Sequence, residues 1–342
     1  MHERKNNNNS SDTQTSNGRE HEKKDQDKLV LSKSILVSSL IIAGAWIYTS
    51  RFPAQSPRVS EQQNSVISNQ KVLSAFEDSV LPLAGVVLPV RLNDLGQKLV
   101  SVGALDREKF LSLYSGTERE IARRLVDENQ DEPLQITSEN SAILLNLLWA
   151  VGLGNKNEIL EKGEMMDSRY GGAGRFASTA GWTISDGDAM SHYSMHPFMI
   201  LTDEQQALVD KVSRGIYRPC CGNATHFPDC NHGMAMLGFL ELMASQGVGE
   251  QDMWKAALSV NSYWFPDTYL TIATYMKNKG VAWNDVHPEE VLGVTYSSNQ
   301  GYTRIASQVA TPAGSGGSGG CNVGSVASEA LSQRQSASGC GI

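Results

Sequence analysis

The chain has 342 residues, of which 40% are hydrophobic and 19% charged, and a net charge of −8. That length supplies one large core or two modest ones. The acidic balance argues against nucleic acid and anionic lipid headgroups as partners, since both reward a basic surface.

Residues 1–33 contain Asn6 to Asn9, many Ser, Gln and charged side chains, and almost no large apolar residue before Leu29. Too little surface can be buried there to offset the entropy of ordering the chain, so a disordered tail is expected. Residues 34–50, SILVSSLIIAGAWIYTS, then carry no charge. As a helix this run spans about 25 Å, a little under the roughly 30 Å of a hydrocarbon core. Trp46 and Tyr48 suit a membrane interface, and Lys33 and Arg51 bracket the run. A retained single-pass transmembrane anchor is expected. A cleaved signal sequence ending at Ala43-Gly44-Ala45 is the alternative. Arg4, Lys5, Arg19, Lys23, Lys24, Lys28 and Lys33 precede the run, whereas Arg51 and Arg58 are the nearest basic residues after it. Positive charge stays inside, which places the N-terminus in the cytoplasm and the remainder outside the cell membrane.

Residues 51–71, with Pro53, Pro57 and several Gln, Ser and Asn, read as a linker. The folded domain is expected over 72–310, all-α with long Gly-rich loops. Asp106 caps a helix over DREKFLSLY, Thr117 and Glu120 form a capping box, and Ser138 caps ENSAILLNLLWAVGL. Thr202 with Gln205 makes a second box, and further helices follow Gly233, Gly249 and Pro266, ending near Gly247 and Gly280. A strand over 85–92 is demoted by Pro89. Residues 163–191 carry Gly171, Gly172, Gly174, Gly181 and Gly187 without a helical period. The end of the chain, 311–342, is a Gly/Ser-rich tether bearing Cys321 and Cys340.

The chemistry concentrates between Tyr217 and Gly233. Cys220, Cys221 and Cys230, three of the five cysteines, lie there with His226 and His232. Thiolate and imidazole are the donors that borderline and soft cations prefer. Pro219, Gly222, Asn223 and Pro228 allow the loop to turn back, so that Cys230 meets the vicinal pair. Cys220, Cys221, Cys230 and His232 then make a four-coordinate set for copper or zinc, with His226 as a substitute. Two other readings stay open: a disulfide loop, since cysteines oxidise outside the cytoplasm, and a catalytic thiol.

Cys221-x6-Pro228-x-Cys230 with a following histidine resembles the core of CDGSH-type iron–sulfur proteins. That resemblance implies a [2Fe–2S] cluster on three cysteines and one histidine, and an electron-transfer role. Here the first two cysteines are adjacent, and Asn231-His232-Gly233 puts the histidine two residues early. Pro219-Cys220-Cys221-Gly222 and Asp229-Cys230 are similar to the PCYCGC motif of secreted metal-binding proteins, with one cysteine fewer. The whole stretch YRPCCGN…FPDCNHGMAML looks like that of a group of membrane-anchored bacterial proteins, a likeness that carries no activity with it.

A second donor segment runs from Met190 to Met199. If it is helical as far as Pro197, His192, Met195 and His196 share one face, and thioether with imidazole favours copper. Core filling is the competing use of such methionines, and the better one for Met234, Met236 and Met243. P-loop, HExxH and CxxCH motifs are absent from the sequence. The expected protein is a membrane-anchored transition-metal binder that exchanges its ion with a donor or acceptor protein. A redox or iron–sulfur protein and a disulfide-stapled scaffold are the alternatives, and an enzyme is not favoured.

Overall fold

The computed structural model describes residues 73–309. The expected tail, anchor and linker, and the tether with Cys321 and Cys340, lie outside the described residues. No helix among the described residues is long and apolar enough to cross a membrane.

The described chain is mainly helical. After a helical segment at 73–80, β1 (Val86–Val87) pairs antiparallel with β2 (Gln135–Ile136), Val86 facing Ile136. Beyond the ladder, Leu88 N donates to Leu134 O and Leu134 N to Val90 O, so the two segments stay joined past Pro89, which has no N–H to give. Between the strands come α1 (Leu95–Ser101), α2 (Arg107–Ser112) and α3 (Gly116–Asp127). Then follow α4 (Ser141–Gly154), α5 (Glu158–Lys162), α6 (Ala177–Ala180), α7 (Asp203–Gly215) and α8 (Asn231–Ser245). The last helices are α9 (Glu250–Trp264), α10 (Pro266–Asn278), α11 (Pro288–Leu292), α12 (Val294–Ser297) and α13 (Asn299–Ala306).

The core forms where α4 crosses α8. Both helices are apolar on all sides, which is the pattern of a helix wrapped by neighbours. Every residue of α8 from Asn231 to Ala244 is buried. The axes approach closely because glycine faces glycine: a Cβ on Gly152 would run into the Met234 carbonyl, and one on Gly238 would sit 2.5 Å from Gly152 N. Inside this core lies Glu241, fully buried, with Oε2 accepting from Asn155 Nδ2 at 2.9 Å and Oε1 without a partner. Burial holds its carboxyl well above the usual range, and the single Asn155 bond offsets this only in part.

The caps at Asp106 and Thr202 form as the sequence implies, the latter with both arms of its box. Two others do not. α3 starts at Gly116 behind Ser115, so Thr117 is already helical, and Glu120 instead accepts from Arg123. α4 starts at Ser141, because Thr137 and Asn140 close on each other with reciprocal side-chain bonds and take up the turn that Ser138 would have opened. The third correction concerns 192–197, which is no helix. A 3-10 turn at Ala189–Ser191 is followed by further turns, with Ser194 at φ 56°. Ser194 and His196 donate their N–H groups to the carbonyls of Leu153 and Gly154. These are the otherwise orphaned carbonyls at the end of α4, and that demand outweighs a local helix.

Candidate metal centre

The cysteine loop is clamped at both ends by backbone bonds. Tyr217 N donates to Leu292 O, Thr225 N to Ile216 O, and Asn299 N to Cys221 O at 3.0 Å. Asn299 Nδ2 reaches Pro219 O and Asn261 Nδ2 reaches Tyr217 O. Cys230 then serves as the N-cap of α8, which begins at Asn231, two residues before Gly233 and earlier than the sequence suggested.

At the centre of the loop is Arg218, with 1% of its side chain exposed. Its guanidinium donates to Asp229 Oδ1 at 2.6 Å, Phe227 O at 3.0 Å, Asn223 O at 3.1 Å and Cys230 Sγ at 3.1 Å. Asn223 Nδ2 completes the Asp229 carboxylate at 2.7 Å. Gly233 makes room for this group, because a Cβ there would stand 2.5 Å from Arg218 Cζ. A buried cation is tolerated only when it is well hydrogen-bonded and beside matching negative charge. Here Asp229 and the cysteine sulfurs supply it.

Cys220 Sγ lies 3.5 Å from Cys230 Sγ. One ring nitrogen of His232 lies within 4.8 Å of both sulfurs, and Cys221, Asp229 and Cys230 form a second group on the same limit. The two groups share Cys230. The four expected ligands therefore surround one sulfur without all falling inside a single group. Cys230 is held well below the ordinary thiol range: bonds from Cys220 and Cys221 stabilise its thiolate against burial, aided by the Arg218 charge and by His232. For Cys221 the bond with Cys220 pulls the other way, but the contact with Cys230 and burial together push it up. Asp229 is raised by burial, which outweighs the Arg218 charge.

The residues fit a thiophilic cation. His232 rests on the Phe265 ring at 4.3 Å, and its Nδ1 is buried without a hydrogen-bond partner. One of its two ring nitrogens is the donor that comes within 4.8 Å of the Cys220 and Cys230 sulfurs. Two sulfurs about 2.3 Å from one tetrahedral ion stand about 3.8 Å apart, whereas a disulfide needs about 2.05 Å. The observed 3.5 Å is close to the former.

His226 has a different place. Its Nε2 meets Asp210 Oδ1 of α7 at 2.8 Å, and Arg214 grips the same carboxylate through two nitrogens. It lines a cleft of about 770 Å³ with Lys156, Met199 and Gln206, a cleft that none of the three cysteines touches. Met195 is 62% exposed, while His192 and His196 meet each other, outside the cysteine loop in sequence. Arg218 and Asp229 were not singled out from the sequence. Their signal was there, a charged residue two before Cys220 and another immediately before Cys230, both in a stretch otherwise short of charge.

The chain is thus a helical protein with a buried thiolate–imidazole cluster around one arginine. No protein-family model, curated protein or solved structure matches it.

Proposed function

We propose that this protein binds one transition-metal ion through Cys220, Cys230 and His232, with Cys221 as the fourth donor. It would hold that ion outside the cytoplasm, on an anchor formed by residues 34–50. The observation that carries the reading is the meeting of two sulfurs 3.5 Å apart with a ring nitrogen of the buried His232 within 4.8 Å of both. Zinc suits a closed four-donor site, and copper(I) suits the thiolates. Burial of Cys221, Cys230 and His232 favours holding the ion over catalysis with it, since a catalytic centre keeps an open position. Cys220 is the more exposed of the three cysteines, which makes it the natural point of exchange with a donor or acceptor protein.

A second reading rests on the same 3.5 Å approach: oxidation would join Cys220 to Cys230 and make the loop a redox or structural staple. One experiment separates the two. The full chain is purified without reductant, its metal measured by mass spectrometry and its thiols titrated. One equivalent of zinc or copper with reduced thiols, lost in Cys230→Ser, supports the first reading. Metal-free protein with two thiols blocked until reduction supports the second. Iron with sulfide and visible absorbance would point instead to the cluster that the CDGSH resemblance implies.

A further inference from the structure

Outside the cysteine loop, two ring nitrogens meet in the turn that follows Ala189–Ser191. His192 Nδ1 stands 3.1 Å from His196 Nε2. The other nitrogen of His192, Nε2, lies 2.8 Å from the Asp186 carbonyl oxygen. A carbonyl only accepts, so Nε2 carries the hydrogen and Nδ1 presents a lone pair. An imidazole whose second nitrogen donates to a carbonyl is the usual support for a metal-ligating histidine, with tautomer and ring plane both fixed. The turn beneath is fixed too: Asp186 N donates to Gly103 O, and Asp188 accepts from Met190 N.

We propose that His192 Nδ1 and His196 Nε2 form a second cation site, for a nitrogen-preferring divalent transition metal such as nickel, copper or zinc. The spacing fits. Two nitrogens about 2.0–2.1 Å from one ion are about 2.9 Å apart when cis in a square plane and about 3.4 Å apart on a tetrahedron. The observed 3.1 Å lies between these. Accessibility fits as well: His192 is buried and rigid, whereas His196 is half-buried, its ring stacked on Phe198 at 5.3 Å. Solvent can therefore reach the pair from the His196 side.

The exchange balances simply. Without metal, His196 Nε2 donates its hydrogen to His192 Nδ1. On binding, each nitrogen gives its lone pair to the ion, His196 carries its one proton on Nδ1 instead, and nothing else is consumed.

The test is a calorimetric titration of Ni(II) into the full chain in detergent, anaerobically and after incubation with zinc. Wild type, His196→Ala and His192→Ala are compared. His196→Ala is the deciding variant, because its ring is half-buried and its fold can be checked by thermal melt. One nickel equivalent in wild type, weakened at least about tenfold in His196→Ala and His192→Ala with zinc content unchanged, is the expected result. Equal nickel binding by wild type and His196→Ala, or no binding by either, overturns the proposal and leaves two hydrogen-bonded rings. The comparison between variants stands whether or not the cysteines hold zinc, so failure at one site is distinguishable from failure at the other.

Discussion

The cysteine loop and the histidine turn carry the same kind of donor atoms and are held by opposite means. Around Cys230 the donors are arranged by buried charge: Arg218 binds the sulfur, the Asp229 carboxylate and two carbonyls, and Gly233 leaves space for it. Around His192 the donors are arranged by neutral backbone, through the Asp186 carbonyl and the end of α4. The first arrangement is rigid and costly to disturb. The second is half open and cheap to alter, and the two should respond differently to the same kind of substitution.

Removing the cation from the loop should produce the largest effect. Arg218→Met leaves Asp229 and the Cys230 thiolate buried without their partner, and loss of one member of a buried charge pair costs about 3–5 kcal/mol. Chemical denaturation of the two proteins measures it. His196→Ala, by contrast, should unfold within about 1 kcal/mol of wild type, as expected for losing one neutral hydrogen bond at a half-buried ring. Similar losses for the two variants would break the distinction between a charge-built and a backbone-built site.

A second test concerns Glu241, a buried acid that belongs to neither region. Burial raises the Glu241 carboxyl, so its folded pKa lies above the unfolded value near 4.5. Above about pH 4.5 the unfolded chain releases this proton and the folded chain retains it. Stability therefore falls as pH rises towards the folded pKa, by about 1.4 kcal/mol per pH unit for this group alone. Glu241→Gln keeps an amide oxygen for Asn155 and removes the titration. Its unfolding free energy should exceed that of wild type by an amount that grows from about pH 4.5 towards neutrality, and parallel pH curves would show that the carboxyl is already ionised. Smaller again is Gly238→Ala, which drives a methyl into the α4 backbone and should cost about 1–3 kcal/mol without changing metal content.

These expectations also mark what could be read from the chain. The helical class, the box at Thr202 and the buried all-apolar character of α4 and α8 were legible, because each depends on residues close in sequence. So was the clustering of Cys220, Cys230 and His232, since turn formers lie between them. The helix at 192–197 failed because its amides were claimed by the end of α4, just over forty residues earlier in the chain. Arg218 was passed over for a related reason. An arginine beside a cysteine loop looks like surface charge until Gly233 and Asp229 are seen to enclose it. The Gly152–Gly238 approach is legible only once the two helices are known to cross.

His226 allows the sharpest separation of sequence proximity from spatial role, with the smallest expected effect. It sits midway between Cys221 and Cys230 in sequence, yet its imidazole donates to Asp210 on α7, beside a cleft that none of the three cysteines lines. Asp210 also holds Arg214 in a two-pronged pair, so the carboxylate keeps a cationic partner when His226 is replaced. In His226→Gln the amide still offers a donor towards Asp210. The loss should be no more than about 1 kcal/mol, the value of one net hydrogen bond. Metal content should equal that of wild type, while Cys230→Ser protein, measured alongside, loses its ion. Loss of metal in His226→Gln with an unchanged melting temperature would mean that the loop reorganises on binding and that the imidazole turns from α7 towards the sulfurs. The ligand set would then be the one suggested by spacing, and the arrangement around Arg218 would be that of the metal-free chain only.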